Sequence, residues 1–196
     1  MILHLMRHGR TELDRHLIGR TNVALSEDGW RATRRQIERL EWAMVVTSPL
    51  KRAQAAAFEA SDRAGTKLRI DPDWAEMDFG AWDGLETEVI RRDHARAFRD
   101  FYNDPSAHPP PGGETWDALK TRIDRGLRAA LADPGASPCL VMTHAGAIRA
   151  ALAVACGLER SSLWCFRIAH SAVLTLDVRH DERGGLWGEI VALQQP

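Results

Sequence analysis

The sequence predicts an α/β fold, a three-layer sandwich in which a mostly parallel central sheet is flanked by helices. Two observations predict it: short apolar runs of strand length, such as residues 1–6 and 139–142, and longer segments between them with helical spacing of apolar residues. Strands that alternate with helices are typical of a parallel sheet covered on both faces. We expect a single domain over residues 1–196, with a short helical lid insertion at residues 80–112.

A cation, an imidazole and a glycine lie at the carboxyl end of the opening strand. The apolar residues 1–6 lead directly into Arg7, His8 and Gly9, and ligands of open α/β sheets bind at that end of the strands. The polar segment that follows is expected to be a loop. The first helix is predicted over Ser26–Glu41, because the serine is a suitable N-cap and two acids follow it in the first turn.

A second buried strand is followed by a helix that carries another arginine in its first turn. Met44–Val46 is apolar, and Ser48 followed by Pro49 predicts a helix that is capped by the serine and has proline at its first position. Arg52 then lies in the first turn of this helix, near the positive end of the helix dipole. A third short strand is predicted at Leu68–Ile70.

The chain leaves the sheet after the third strand. Residues 74–84 are rich in acids, aromatic residues and glycines, and their irregular pattern predicts a structured loop. Residues 86–102 predict one heavily charged helix, and the proline- and glycine-rich run 109–113 closes it. We interpret residues 80–112 as a cap over a site.

The second half of the chain repeats the alternation of helix and strand. A helix is predicted over residues 114–131 and a buried strand at Cys139–Met142. His144 follows this strand, just before the next helix. The remaining elements are a helix at residues 147–156 and strands at residues 172–178 and 188–193. His170 precedes the first of these strands, close enough in sequence to reach the rim of a pocket there, but it belongs to no motif.

The composition is typical of a globular protein and excludes several classes of partner. Hydrophobic residues make up 44% of the chain, and the formal net charge of −1 provides no basic field for nucleic acid. No apolar stretch is long enough to cross a membrane, and we expect no signal peptide. The three cysteines form no CxxC motif and their odd number argues against a disulfide framework, so we expect a cytoplasmic protein. The oligomeric state is left open, with a homodimer among the options.

Three strands carry unusual side chains at or just beyond their carboxyl ends. Because the carboxyl ends of parallel strands meet at one edge of a sheet, Arg7 and His8 are expected to lie near both Arg52 and His144. Two imidazoles and two guanidiniums form a compact positive pocket that suits a phosphoryl group. One imidazole can attack phosphorus, and the other can neutralise an oxygen.

Phosphoryl transfer at such a pocket also requires an acid, because the leaving alkoxide needs a proton. The loop after the third strand supplies two carboxyl groups close together in sequence. We expect Glu76 to be the proton donor, with Asp78 as the second choice.

The motifs around these residues resemble those of the histidine phosphatases in the phosphoglycerate-mutase-like superfamily. The matching segments cover most of the chain in the family's order: Leu5–Gly9, Ser48–Ala53, Glu76–Gly84 and Thr143–Gly146. The resemblance implies that His8 becomes phosphorylated and that Glu76 is the general acid and base. It also implies that Arg7, Arg52 and His144 hold the phosphate, and that neither a metal nor an organic cofactor is needed.

The wider set of expected substrate-binding residues is Arg7, Gly9, Thr11, Gly19, Arg20, Arg52 and Ala145. Two nearby positions depart from the family pattern: Asp14 stands where relatives usually have asparagine, and Arg10 where they usually have an acid. A carboxylate that faces a phosphate is unfavourable. Either Asp14 points away from the site or a neighbouring arginine, Arg10, Arg15 or Arg20, compensates its charge, so we leave Asp14 outside the candidate set.

Three functions are compatible with these motifs: a phosphatase, a phosphoglycerate mutase and a non-catalytic phospholigand-binding module. A mutase of this kind usually carries longer insertions and a more basic substrate cradle than 196 residues provide here. A binding module would predict a damaged nucleophile or clamp, and both are intact. The phosphatase is therefore favoured.

The expected substrate is a small phosphorylated metabolite. Three segments resemble the alpha-ribazole phosphatase branch of cobalamin assembly: Glu76–Trp82, Pro111–Thr115 and Leu163–Ile168. This resemblance makes alpha-ribazole 5'-phosphate a candidate substrate. A broad-specificity or sugar-phosphate phosphatase remains the alternative.

Overall fold

The computed structural model describes the backbone of residues 1–196 and every side chain except those of Pro134 and Arg160. Its strands form one six-stranded sheet in the order β3-β2-β4-β1-β5-β6. The strands are β1 (Ile2–Arg7), β2 (Met44–Thr47), β3 (Lys67–Ile70), β4 (Cys139–Thr143), β5 (Val173–His180) and β6 (Leu186–Gln194).

The first four strands of this order are parallel to one another, and β5 and β6 are antiparallel to their neighbours. The predicted α/β class with a mostly parallel sheet is therefore confirmed. The register pairs Arg7 with Thr143 and Thr47 with Met142, so β1, β2 and β4 end side by side. The residues that follow these three strands consequently meet at one edge of the sheet.

Helices cover both faces of the sheet. They are α1 (Glu27–Ile37), α2 (Lys51–Ala64), α3 (Thr87–Asp93), α4 (Ala95–Asn103), α5 (Trp116–Leu131), α6 (Ala145–Cys156) and α7 (Arg160–Leu163). The side chains of β1 alternate between the faces, as a strand requires. Leu3 and Leu5 pack in the core with α5 and α6, whereas Met6 packs in the second core with α1 and α2.

Helix α2 begins later than the sequence predicts. Its N-cap is Leu50, so the predicted start with Ser48 as N-cap and Pro49 at the first helical position is wrong. The Ser48 side chain instead closes a turn, since its Oγ accepts a hydrogen bond from the Leu50 N–H (3.2 Å) and shares one with His144 (2.7 Å). Arg52 remains in the first turn of the helix, as predicted.

The single helix predicted over residues 86–102 is instead two helices, α3 and α4. They meet at His94, whose dihedral angles are not helical (φ −130°, ψ 30°). Phe98 and Phe101 of α4 pack edge-on against Trp82, with ring centroids 5.6 and 5.8 Å apart. No glycine or proline marks the break in the sequence, so the pattern of apolar residues did not reveal it. The packing of these aromatic residues in the folded protein positions the second helix.

Other boundaries shift by up to four residues from the predicted ones, the largest shift being the end of α1 at Ile37 instead of Glu41. Helix α6 starts directly after His144, two residues earlier than predicted. Strands β5 and β6 are each longer than predicted, because they pair with one another along their whole length. No helix within the described residues is long and apolar enough to cross a membrane. The division into one domain with a lid over residues 80–112 stays a prediction.

Candidate active site

His8 lies at the carboxyl end of β1 with only 6% of its surface exposed. Its Nδ1 is 2.7 Å from the carbonyl oxygen of Gly9. Because a carbonyl can only accept a hydrogen bond, Nδ1 carries the proton and Nε2 holds the lone pair. The Nε–H of Arg52 points at that lone pair from 3.2 Å. The geometry therefore fixes the tautomer and directs the nucleophilic nitrogen of His8 toward a guanidinium.

The imidazole of His8 is uncharged near neutral pH. Burial lowers its pKa well below the ordinary value of 6.5, and the cations of Arg52 and Arg7 lower the pKa further. A neutral imidazole is the form that can attack phosphorus. The cations of Arg52 and Arg7, which disfavour a proton on Nε2, favour an anionic group beside it.

Arg52 is fully buried in the first turn of α2. Its two terminal nitrogens donate to the carbonyl oxygens of Thr21 (2.9 Å) and Gly19 (2.7 Å). Burial lowers the pKa of Arg52 to about 10, with Glu76 and Asp83 acting in the opposite direction, so the guanidinium stays charged at neutral pH. The backbone carbonyls thus hold a buried cation against His8.

The loop that holds Arg52 is itself held by one carboxylate. Asp83 accepts hydrogen bonds from the backbone N–H groups of Gly19 (2.9 Å), Arg20 (2.5 Å) and Thr21 (3.1 Å). Gly19 and Arg20 were expected to bind substrate, but these N–H groups are occupied and the Arg20 side chain is exposed. The structure places both residues behind Arg52, away from the cavity lining.

His144 lies between β4 and α6, and its ring centroid is 5.0 Å from that of His8. Its Nε2 shares a hydrogen bond with Ser48 Oγ (2.7 Å). Its Nδ1 is buried, and no described residue is a hydrogen-bond partner for it. Burial, followed by the charge of Arg52, lowers the pKa of His144 well below 6.5. This second imidazole therefore presents an unengaged ring nitrogen within the same cluster.

Arg7 is oriented by His170, a histidine that belongs to none of the sequence motifs. Its guanidinium donates to the carbonyl of Ile168 (2.8 Å) and to Nε2 of His170 (2.9 Å). The His170 ring also contacts His8, with centroids 5.5 Å apart. Burial lowers the pKa of His170 to about 3, with Arg7 and Arg10 as further causes, so this ring is an uncharged acceptor.

A usable signal for His170 was present in the sequence. It stands immediately before the predicted strand that becomes β5, and β5 pairs antiparallel with β1, so that Val173 lies opposite Met6. The start of β5 is therefore at the same edge as the end of β1. The alternation of helices and strands does not predict that β5 is antiparallel to β1, and for that reason the sequence did not place His170 at this edge.

Glu76 is 94% buried and lines the same cavity as His8. Its carboxylate accepts hydrogen bonds from the N–H groups of Met77 (2.9 Å) and Gly146 (3.2 Å), the latter in the first turn of α6. The guanidinium of Arg122 fixes the backbone beneath by donating to the Glu76 carbonyl (3.0 Å). Asp78, the second choice, accepts from the Gly80 N–H (2.8 Å) in a turn and does not line the cavity.

A cavity of about 440 Å³ opens above these residues. Of the candidates, Arg7, His8, Thr11, Glu76 and Ala145 line it. Arg52 and His144 are not among the residues that line the cavity, but each contacts His8, which does. Gly9 is packed so closely on Gly29 that a Cβ there would lie 2.3 Å from the Gly29 carbonyl oxygen, so its contribution is close backbone packing.

The mouth of the cavity contains the two positions that depart from the family pattern. Asp14, Arg10 and Arg15 all line it and are exposed. Of the two alternatives for Asp14, this placement favours compensation by neighbouring arginines. Within the described residues, no group of three or more histidine, cysteine or acidic side chains is arranged to hold a metal ion.

Comparison with known proteins places this geometry in a family. The family model described as "Histidine phosphatase superfamily (branch 1)" matches residues 3–187. A bifunctional protein of Mycobacterium tuberculosis is 37% identical over 163 residues, which are 78% of this chain and 43% of that protein. The chain therefore spans less than half the length of that relative. An adenosylcobalamin/alpha-ribazole phosphatase of Escherichia coli is 26% identical and covers 91% of this chain and 90% of its own.

Solved structures share the same architecture. A mycobacterial glucosyl-3-phosphoglycerate phosphatase in complex with VO3 superposes with a TM-score of 0.86 over 97% of each chain, at 23% sequence identity. This likeness shows a common fold.

Proposed function

Because the chain belongs to the histidine phosphatase superfamily (branch 1), we propose that it hydrolyses phosphomonoesters of small metabolites through a phosphohistidine formed on His8. One observation carries the proposal: His8 lines a cavity, and its unprotonated Nε2 faces the guanidinium of Arg52. A nucleophile, an anion clamp and space for a substrate thus coincide.

In the first step, the phosphate group docks between Arg7, Arg52 and His144. Nε2 of His8 attacks phosphorus, the nitrogen–phosphorus bond forms, and the ester phosphorus–oxygen bond breaks. Glu76 gives its proton to the leaving alkoxide. The imidazole ring becomes positively charged, and the Gly9 carbonyl that accepts the Nδ1–H stabilises this charge.

In the second step, water enters from the cavity after the alcohol departs. The carboxylate of Glu76 takes a proton from that water as its oxygen attacks phosphorus. The nitrogen–phosphorus bond breaks, and inorganic phosphate and neutral His8 are restored. Two hydrogen bonds to backbone N–H groups hold Glu76 in position for both proton transfers.

The substrate within this class is open to direct test. The relatives named adenosylcobalamin/alpha-ribazole phosphatases and the three resembling segments support alpha-ribazole 5'-phosphate as a candidate. A panel that also contains sugar phosphates and phosphoglycerates ranks the candidates by kcat/KM. Supplying 3-phosphoglycerate together with its bisphosphate separates hydrolysis from mutase activity, since only hydrolysis accumulates inorganic phosphate.

His8→Ala tests the proposed function, with His4→Ala as the matched control. His4 lies on β1 and His8 directly follows that strand, but His4 shares its hydrogen bond with Thr175 and does not line the cavity. We expect His8→Ala to lose at least about 1000-fold in p-nitrophenyl phosphate turnover, and His4→Ala to keep most of it. Retained activity in a folded His8→Ala variant contradicts the proposal.

A further inference from the structure

A second, smaller cavity shares two residues with the candidate active site. Its volume is about 220 Å³, and Arg10 and His170 line both this cavity and the larger one. We call it the α1 pocket, because most of its other lining residues belong to that helix: Asp28, Arg31, Ala32, Arg35, Ser171 and Pro196. A water molecule occupies roughly 30 Å³, so the space holds a small ion together with part of its hydration shell. The proposed mechanism uses none of the groups on α1.

The side chains of the α1 pocket carry an excess of positive charge. Arg31 and Arg35 are one helical turn apart on α1, and like charges at that spacing repel each other. Arg10 adds a third guanidinium. The one carboxylate among the side chains that line the pocket is that of Asp28, 3.5 Å from Arg31. Three positive charges therefore face one negative charge, and a phosphate dianion balances the difference.

Two of these three guanidiniums have no partner within the described part of the chain. Neither Arg10 nor Arg35 forms an ion pair there, and their guanidiniums donate no hydrogen bond to any described residue. The neighbouring Arg34 differs, since it donates two hydrogen bonds of 2.7 Å to Glu59. A guanidinium presents a fork of donors that suits the oxygens of a phosphate. The α1 pocket thus offers donors that the protein itself does not use.

Hydrogen bonds join the backbone at the α1 pocket to the active site. The Arg10 carbonyl accepts a hydrogen bond from the N–H of Ser26 (2.9 Å), the N-cap of α1. Ser171 is fully buried, and its Oγ shares a hydrogen bond with Thr33 of α1 (3.1 Å). The N–H of Ser171 donates to the carbonyl of His8 (3.1 Å). The pocket is therefore held directly against the residue proposed as the nucleophile.

Arg10 is the group through which the two cavities can affect each other. It lies at the mouth of the larger cavity together with Asp14. Its charge also reaches His170, the acceptor for Arg7, because burial, Arg7 and then Arg10 lower the pKa of that histidine. An anion in the α1 pocket attracts the Arg10 guanidinium and reduces the positive potential at the mouth. An ester dianion should then bind the larger cavity less tightly.

We propose that the α1 pocket is a second oxyanion site. It binds inorganic phosphate through Arg10, Arg31 and Arg35, and phosphate bound there weakens the binding of the ester in the larger cavity. Inorganic phosphate is the product of the proposed hydrolysis, so the protein responds to the accumulation of its own product. Because the three arginines are exposed, salt screens their attraction for an anion, and we expect a dissociation constant of about 1 mM.

Amide NMR shifts locate the bound phosphate. Titration of the intact protein with inorganic phosphate should shift the amide of Ala32, between the two arginines of α1, and potassium chloride at equal ionic strength should not. Arg52→Gln, which impairs the active site, should keep this shift. The double variant Arg31→Gln/Arg35→Gln should lose it, and Arg39→Gln, also exposed, should keep it. No shift on α1, an equal shift with chloride, or a shift that the double variant retains overturns the proposal.

Inhibition kinetics tests the effect on the ester. In the intact protein, the apparent KM for p-nitrophenyl phosphate should rise more steeply than linearly with inorganic phosphate, with an excess of about 5-fold when the α1 pocket is saturated. The double variant should have the same kcat without phosphate, and its KM should rise linearly, since phosphate then competes only at His8. A linear rise in both proteins overturns the proposal. Absence of turnover in the intact protein contradicts the proposed function instead, and the NMR titration then decides on the α1 pocket.

Discussion

Two regions of the site are built in different ways. We call His8, with Arg7, Arg52 and His144 around it, the floor, and we call Tyr102, Arg149 and Trp164 the wall. On the floor, His8 is 6% exposed and both Arg52 and His144 are fully buried, each held by hydrogen bonds to backbone or to Ser48. On the wall, Tyr102 and Trp164 are 39% and 44% exposed and contact each other only through their rings. From this difference we expect the residues at the strand ends to determine the chemistry, and the more exposed side chains of the wall to determine which alcohol is accepted.

This contrast has a physical basis in what holds each region. The carbonyls of Gly19, Thr21 and Ile168 accept from the floor arginines, and backbone acceptors do not depend on the neighbouring side chains. The wall depends on ring contacts and a cation–π contact, which change with every substitution. Changes on the floor should therefore affect all substrates alike, and changes on the wall should affect some substrates more than others.

The largest loss outside His8 is expected for Arg52→Gln. We expect a fall of about 100- to 1000-fold in kcat on every ester, because a buried donor to the transferring phosphoryl group is removed. Arg52→Lys should not restore activity, since one ammonium cannot reach His8, Gly19 and Thr21 together. Steady-state kinetics on p-nitrophenyl phosphate and one alkyl ester, with thermal unfolding as the folding control, measures this. A substrate-dependent loss would erase the distinction between floor and wall.

Glu76→Gln should give the next largest effect, and one that depends on the leaving group. Esters of poor leaving alcohols should slow by about 100-fold or more, while p-nitrophenyl phosphate should slow much less, because nitrophenolate leaves without a proton. Asp78→Asn is the matched control, as Asp78 only caps a turn at Gly80. Similar losses on both kinds of ester would argue against the acid role of Glu76.

His170 should act by positioning Arg7 and not by touching the reacting atoms. His170→Leu removes the acceptor for the Arg7 guanidinium, and we expect about a 10-fold loss in kcat/KM on all esters. His170→Asn keeps an acceptor at that place and should recover most of the activity. If the asparagine variant is as impaired as the leucine variant, the hydrogen bond to Arg7 is not what matters.

The free energy of unfolding should fall gradually as the pH drops below 6.5. The pKa of His170 falls from 6.5 to about 3 on folding, and those of His8 and His144 also fall. Below pH 6.5 the unfolded chain therefore binds more protons than the folded one, so stability is full above that pH and declines as the pH drops. Each histidine contributes at most about 1.4 kcal/mol per pH unit.

Urea unfolding at pH 7.5, 6 and 5 measures this decline. His170→Asn should show a shallower decline than the unmodified protein, because it removes one of the four histidines whose pKa is lowered on folding, which are His4, His8, His144 and His170. The same replacement at the exposed His108 is the control and should leave the slope unchanged. Parallel slopes for the protein and for His170→Asn would contradict the charge state assigned to the floor.

The floor could be predicted from the sequence because it depends on topology alone. Once short apolar runs were interpreted as parallel strands, the residues after β1, β2 and β4 had to share an edge, and the structure brings His8, Arg52 and His144 together there. Glu76 was predicted from the chemical need for an acid near this edge. No side-chain direction had to be known for these steps.

The wall could not be predicted because it depends on tertiary packing. Arg149 was one cation in an apolar helix, and only the lean of its side chain toward Ala145 brings it over the cavity. Trp164 and Tyr102 are far apart in sequence and meet only after the chain folds. Gly19 and Arg20 illustrate the reverse case, since Asp83 occupies their N–H groups in a way that no local pattern indicates.

The most direct measurement of the central claim is the position of the phosphoryl group during turnover. Mixing the protein with a labelled ester, quenching in base and mapping the peptides should locate one acid-labile phosphoryl group on His8, and His8→Ala should carry none. The label should disappear at the rate at which inorganic phosphate appears. Turnover without a labelled protein, or a label on His144 or His170, would contradict the account.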